Sequence, residues 1–130
     1  MYTKTLILAM TGLLALLSSG CQEEEKVAFE YPMVMTLAAD HITPNSARLN
    51  AVITDGPVEE ISEHGFVWGT STILNVQDSD KVSVTGSPSA FNYSCDIAFE
   101  PDPFEKYFFR SYIVSGELII YGNTVSFNAL

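Results

Sequence analysis

The 130-residue chain carries 16 acidic against 6 basic side chains, a formal net charge of −10 at pH 7. That excess excludes nucleic acid and flat adsorption on anionic lipid as partners, because both need cations to neutralise phosphate. With 47% apolar and only 17% charged residues the chain is globular, and its length suits one domain with a single core.

The first element is a leader. Lys4 gives a positive start, residues 6–17 form an apolar run, and Ser18, Ser19 and Gly20 lead to Cys21. The run falls short of the ~20 residues a spanning helix needs, so it reads as a secretory signal. Ending on Cys21, it resembles a bacterial lipoprotein signal. That resemblance implies cleavage after residue 20, lipidation of Cys21 with fatty acyl groups such as palmitate, and anchoring to the outer membrane through lipid. Glu23, Glu24 and Glu25 follow in a polar tether over residues 21–31. An acidic run placed there resembles the export signal that sends lipoproteins of some Gram-negative gut commensals to the cell exterior. The alternative is a solvated spacer. Residues 32–130 are then the folded domain.

From Pro32 onward the apolar period is two, with no amphipathic helix. Met33, Met35, Leu37 and Ala39 alternate as a first strand, which residues 40–45 with Pro44 end. Ala47, Leu49, Ala51 and Ile53 alternate against Arg48, Asn50 and Thr54, a half-buried second strand. Asp55-Gly56-Pro57 turns the chain. Residues 61–69, 81–85, 91–99, 106–114 and 118–127 supply five more strands. Gly86-Ser87-Pro88 makes a loop, and Ser115-Gly116-Glu117 a tight hairpin. Seven short strands in about 100 residues predict an all-β, seven-stranded antiparallel β-sandwich.

Ile42-Thr43-Pro44-Asn45-Ser46-Ala47-Arg48-Leu49 is similar to the entry of the second strand of a fibronectin type III domain. Residues 61–71 resemble the third strand of that family, with Gly65-Phe66-Val67-Trp68 as its core. Residues 107–112 resemble the sixth and 121–127 the last. The resemblance implies an immunoglobulin-like sandwich in which strands one, two and five pack on strands four, three, six and seven. It also implies a tyrosine corner at Tyr107, with Pro103 four residues before it. The position six before Tyr107, usually Leu in the family, holds Pro101.

Groupings with chemistry are few. Asp40-His41 and Glu60 with Glu63-His64 are the His–carboxylate neighbours, and a zinc site wants three or four converging ligands; surface or packing histidines are the competing reading. Asp78 and Asp80 lack the alternating oxygens of a calcium loop. There is no Gly-x-Ser-x-Gly, no Cys–His pair in reach and no phosphate-cradling loop. The expectation is therefore no catalytic residue, no metal and no cofactor, hence not an enzyme. Cys95, flanked at every second position by Phe91, Tyr93, Ile97 and Phe99, reads as a buried thiol or, less simply, a reactive one.

On the sixth strand one alternating set must leave the core. If Tyr107 faces inward, the outer row is Phe108, Arg110 and Tyr112. An aromatic–Arg–aromatic stripe is either a contact surface for a sugar or protein ligand, or a stack shielding the sheet. The expected protein is thus a non-catalytic surface binding or adhesion module with a protein or glycan ligand. The alternative is a structural subunit of a surface assembly, pilus-like or serving glycan uptake.

Overall fold

A computed structural model describes residues 31–130. The leader, Cys21 and the three glutamates lie outside the described residues. Seven strands follow in order: β1 Met33–Asp40, β2 Ser46–Asp55, β3 Ile61–Gly69, β4 Asp80–Thr85, β5 Asn92–Ala98, β6 Lys106–Ser115 and β7 Leu118–Asn128. They form two antiparallel sheets, ordered β1-β2-β5 and β4-β3-β6-β7. The molecule is an all-β sandwich of the three-plus-four arrangement expected above.

The core follows from alternation. In β2 every second residue (Ala47, Leu49, Ala51, Ile53) is buried, and in β5 Tyr93, Cys95 and Ile97 are. The register sets Ala47 beside Ile97 and Ala51 beside Tyr93, so small residues make room for large ones on the shared face. The facing sheet contributes Phe66, Phe109, Ile113 and Phe127. Fully burying one such side chain contributes about 1.5–3 kcal/mol. The β6–β7 hairpin closes through Gly116, whose φ of 61° is the positive value a two-residue loop requires at its first position.

The alternation in β1 is the opposite of the simplest reading. Val34 and Thr36 are buried, while Met35 is 44% exposed. Thr36 turns inward because its partners lie there. Its Oγ1 is 2.8 Å from Ser111 Oγ and accepts the Ser111 amide at 2.9 Å. The Thr36 amide donates to Asn123 Oδ1 at 2.8 Å, and Asn123 Nδ2 donates to the Thr36 carbonyl at 3.2 Å.

This polar clasp depends on a bulge. Arg110 pairs with Thr124 and Tyr112 with Tyr121, so Gly122 and Asn123 together oppose the single Ser111. A Cβ on Gly122 would lie 2.3 Å from Ser111 Oγ and 2.7 Å from Thr36 Oγ1, which is why glycine stands there. The Asn123 side chain then acts as a strand partner for Thr36 and joins the two sheets at the β1–β7 side.

The strands run between two ends. Met33 pairs with Asp55 at the end where the described chain enters; the β3, β4 and β5 termini Gly69, Asp80 and Ala98 and the β6 start Lys106 lie at the other. The latter is called the distal end below.

Candidate functional site

Phe108, Arg110 and Tyr112 do face away from the inter-sheet core, but the row is not open. Tyr112 has no exposed surface. Residues 70–79 fold over it and seat Leu74 against Tyr112 and Val67 in a second, smaller core. The cover is tied down. The Val76 amide donates to Tyr121 Oη at 3.0 Å, and Asn75 Oδ1 accepts the amides of Gln77 and Asp78 at 3.0 and 2.8 Å. Tyr112 Oη donates to Glu63 Oε2 at 2.5 Å, and burial first, then that carboxylate, pushes the phenol above its ordinary pKa. Arg110 stacks 4.5 Å over Tyr121 and donates from Nε to the Gly122 carbonyl at 3.0 Å. Phe108 is half-buried with Lys106 Nζ 5.4 Å over its ring. The expected contact stripe is thus corrected: Tyr112 has no surface to offer, and Arg110 is committed to the bulge. The signal that sequence reading passed over is Leu74 and Val76, two apolar residues inside a polar loop.

The expected corner at Tyr107 is corrected as well. Its ring is buried at 6% exposure, 4.5 Å from Phe99 and 5.4 Å from Phe127. Among the described residues its hydroxyl has no hydrogen-bond partner, and its pKa is raised by burial, then by Glu105 and Asp102. The buried tyrosine whose hydroxyl donates to backbone is Tyr93 on β5. It donates to the carbonyls of Gly65 at 3.1 Å and Tyr112 at 3.2 Å, across the sandwich.

The other candidates separate. His64 is buried, its Nδ1 2.8 Å from the Gly86 carbonyl and its ring edge-on to Tyr93 at 4.8 Å, so it packs. His41 is exposed at φ 49°, beside Asp40 at 3.2 Å; hydrogen bonds from Asn50 and then His41 hold the Asp40 carboxyl below its usual value. Among the described residues no three His, Cys, Asp or Glu side chains converge as metal ligands. Cys95 is a buried thiol whose pKa is raised by burial and then by Asp96.

A site that sequence reading missed lies at the distal end. Trp68, near the end of β3, is the register partner of Asp80, which opens β4. Tyr107 near the start of β6 and Phe99 just past β5 complete the walls. Two adjoining depressions, about 490 and 320 Å³, share Trp68, Asp80 and Tyr107. Glu100 borders the first and Asp78 the second. Trp68 is partly exposed, 6.1 Å from Tyr107 and 6.4 Å from Phe99 between ring centres. Ile73 and Phe104, 78% and 79% exposed, stand on loops at the same end.

No family model matches the chain, and no curated protein matches it. Among solved structures, the chain is similar to a short form of the sensor domain of the anti-sigma factor RsgI4 in Pseudobacteroides cellulosolvens. The TM-score is 0.58 at 14% identity, over 79% of this chain and 98% of that one. The solution structure of the same sensor domain matches at TM-score 0.58 and 14% identity, over 76% of this chain and 75% of that one. A cell-surface-expressed multi-modular chitinase, ChiW from Paenibacillus sp. str. FPU-7, matches at TM-score 0.48 and 9% identity, over 84% of this chain and 9% of that one. At these identities the likeness to the sensor domain is one of fold.

Proposed function

We propose that this protein is a lipid-anchored, surface-exposed lipoprotein of the outer membrane whose fibronectin type III-like sandwich is a non-catalytic binding module, with the distal cleft as its contact site. One observation carries the reading. The cleft of Trp68, Tyr107, Phe99 and Asp80 lies at the end of the sandwich opposite Tyr31 and Pro32, where the described chain enters. A lipid on Cys21 and a tether over residues 21–31 would therefore hold the cleft outward. The sheet order, which matches the one implied by the fibronectin resemblance, supports the fold assignment. A sensor domain of similar fold agrees with a role in recognition. In the cleft the titratable groups are carboxylates and a phenol whose pKa is raised, which suits holding a ligand better than moving its protons.

Two experiments test this reading. Fatty-acid labelling of the expressed protein should vanish in Cys21→Ser, since several acyl chains anchor stably where one is marginal; label that survives defeats the anchor. Glycan and protein arrays probed with the full chain should give a ligand whose binding weakens by more than about 1 kcal/mol in Trp68→Ala. Phe108→Ala should leave binding unchanged. The opposite pattern would return the site to the outer face of β6.

A further inference from the structure

We propose that the distal cleft receives a cationic side chain, an arginine or lysine displayed by a protein partner. This rests on the cleft being the binding site and names the chemistry it selects. The key observation is Tyr107. Its ring is more than nine-tenths buried, while its hydroxyl is the part left open to solvent, has no partner among the described residues and borders both depressions. A hydroxyl fixed by a buried ring and free at the mouth of a cleft is a position for a ligand's polar atom.

The walls state which ligand. Trp68 offers a partly exposed indole, the ring that binds cations best. Asp78, Asp80 and Glu100 surround it, and among the described residues none of them has a cation partner. The four described Lys and Arg residues are engaged elsewhere. Arg48 pairs with Asp96, Lys81 lies 3.9 Å from Glu63, Lys106 covers Phe108 and Arg110 covers Tyr121. The cleft therefore repels anions and leaves its own charge unneutralised. A guanidinium or ammonium group stacked on Trp68 would donate to Asp80 and to Tyr107 Oη together, which no neutral ligand does as well.

The surroundings favour a protein partner over a free amine. Ile73 and Phe104 stand exposed at the same end. Phe104 keeps a φ of 64°, unusual for a bulky residue, while Asn128 Nδ2 holds its carbonyl at 3.2 Å and the Ala129 amide holds the Glu105 carbonyl at 2.9 Å. A charged anchor in a pocket with apolar side chains beside it is the arrangement of a protein–protein hot spot.

Trp68 is the only tryptophan of the chain, so its fluorescence reports directly on the cleft. The full-length protein in detergent is titrated with tetra-arginine amide, tetra-citrulline amide as the neutral isostere, and cellotetraose. Tetra-arginine should shift Trp68 emission saturably. Its affinity should fall about tenfold in Asp80→Asn, and it should weaken as salt rises. Tetra-citrulline should give no shift. An equal response to tetra-citrulline, no response to tetra-arginine, or unchanged affinity in Asp80→Asn overturns the cationic assignment. If cellotetraose alone shifts the emission, the cleft stands as the binding site and only the cation is wrong. An array ligand that binds with Trp68 emission unchanged would overturn cleft and cation together.

Discussion

Tyr93 and Tyr107 are both buried aromatic residues facing the sandwich interior, yet only one uses its hydroxyl to hold the fold. Tyr93 bridges the sheets through the carbonyls of Gly65 and Tyr112. Removing that hydroxyl strips two buried acceptors of a donor, at a cost of about 1–3 kcal/mol. Urea unfolding should show Tyr93→Phe destabilised by that amount, and Tyr107→Phe within about 0.5 kcal/mol of the parent. Equal losses would mean that Tyr107 does bond backbone. Sequence could rank these residues only by resemblance, because which hydroxyl meets a carbonyl depends on the packing of β5 against β3 and β6. The same burial sets a pH dependence. Tyr93 and Tyr112 titrate above their ordinary value in the folded state, so the native protein keeps protons that the unfolded chain releases near pH ~10. That stability is fully present below the unfolded value and is lost as pH rises above it, with Cys95 adding to the loss from about pH 8.5. Urea midpoints should therefore be level near neutrality and fall in alkali, and Tyr93→Phe should make the fall shallower. A midpoint that rises with alkaline pH would contradict the assignment.

At the scale of strands and loops, what was legible in sequence was whatever a period of two can carry. The alternating residues of β2 and β5 and the glycine of the β6–β7 turn act locally, and each element lies within a few residues of its expected bounds. The clasp joining β1 to β7 does not act locally. Thr36 and Asn123 are 87 positions apart, and nothing near Thr36 says that a polar residue belongs inside. The cover over Tyr112 was missed for a similar reason, since Leu74 and Val76 contribute too few apolar residues to form a periodic signal. Both devices can be tested by substitution. Gly122→Ala crowds Ser111 and Thr36 and should cost about 1–3 kcal/mol. Asn123→Ala leaves the Thr36 amide without its partner and should cost a similar amount, about 1–3 kcal/mol. The two act on one clasp, so the double substitution should cost less than the sum of the singles. Strict additivity in denaturant unfolding would show that the clasp is not a unit.

For the whole molecule, the direction of the strands decides what faces outward. β6 runs the height of the sandwich in 10 residues, which at ~3.3 Å each is roughly 30 Å. Its start lies beside Trp68 and its finish is the hairpin carrying Leu118, which is 51% exposed at the end where the chain enters. The seven strands were readable from alternation and turn spacing, whereas their division between two sheets was implied only by the resemblance to a fibronectin type III domain. The cleft was not readable, because its walls come from the ends of β3 and β6, the start of β4 and the segment after β5, which meet only once both sheets are stacked. If Cys21 carries the anchor, the hairpin end stands near the bilayer and the acidic cleft stands far from it. Charge alone would not choose this orientation, since Asp55, Glu59, Glu60 and Glu117 stand exposed at the hairpin end and a Debye length of about 8–10 Å limits the reach of either set; the position of the anchor would set it. In vesicles holding the lipidated protein, a short-range nitroxide quencher on the headgroups should leave Trp68 emission nearly unchanged. The paired variant Trp68→Phe with Leu118→Trp, whose single indole sits at the other end, should be quenched strongly. Equal quenching of the two would mean that the sandwich lies on its side, and the cleft would then have no special access to the exterior.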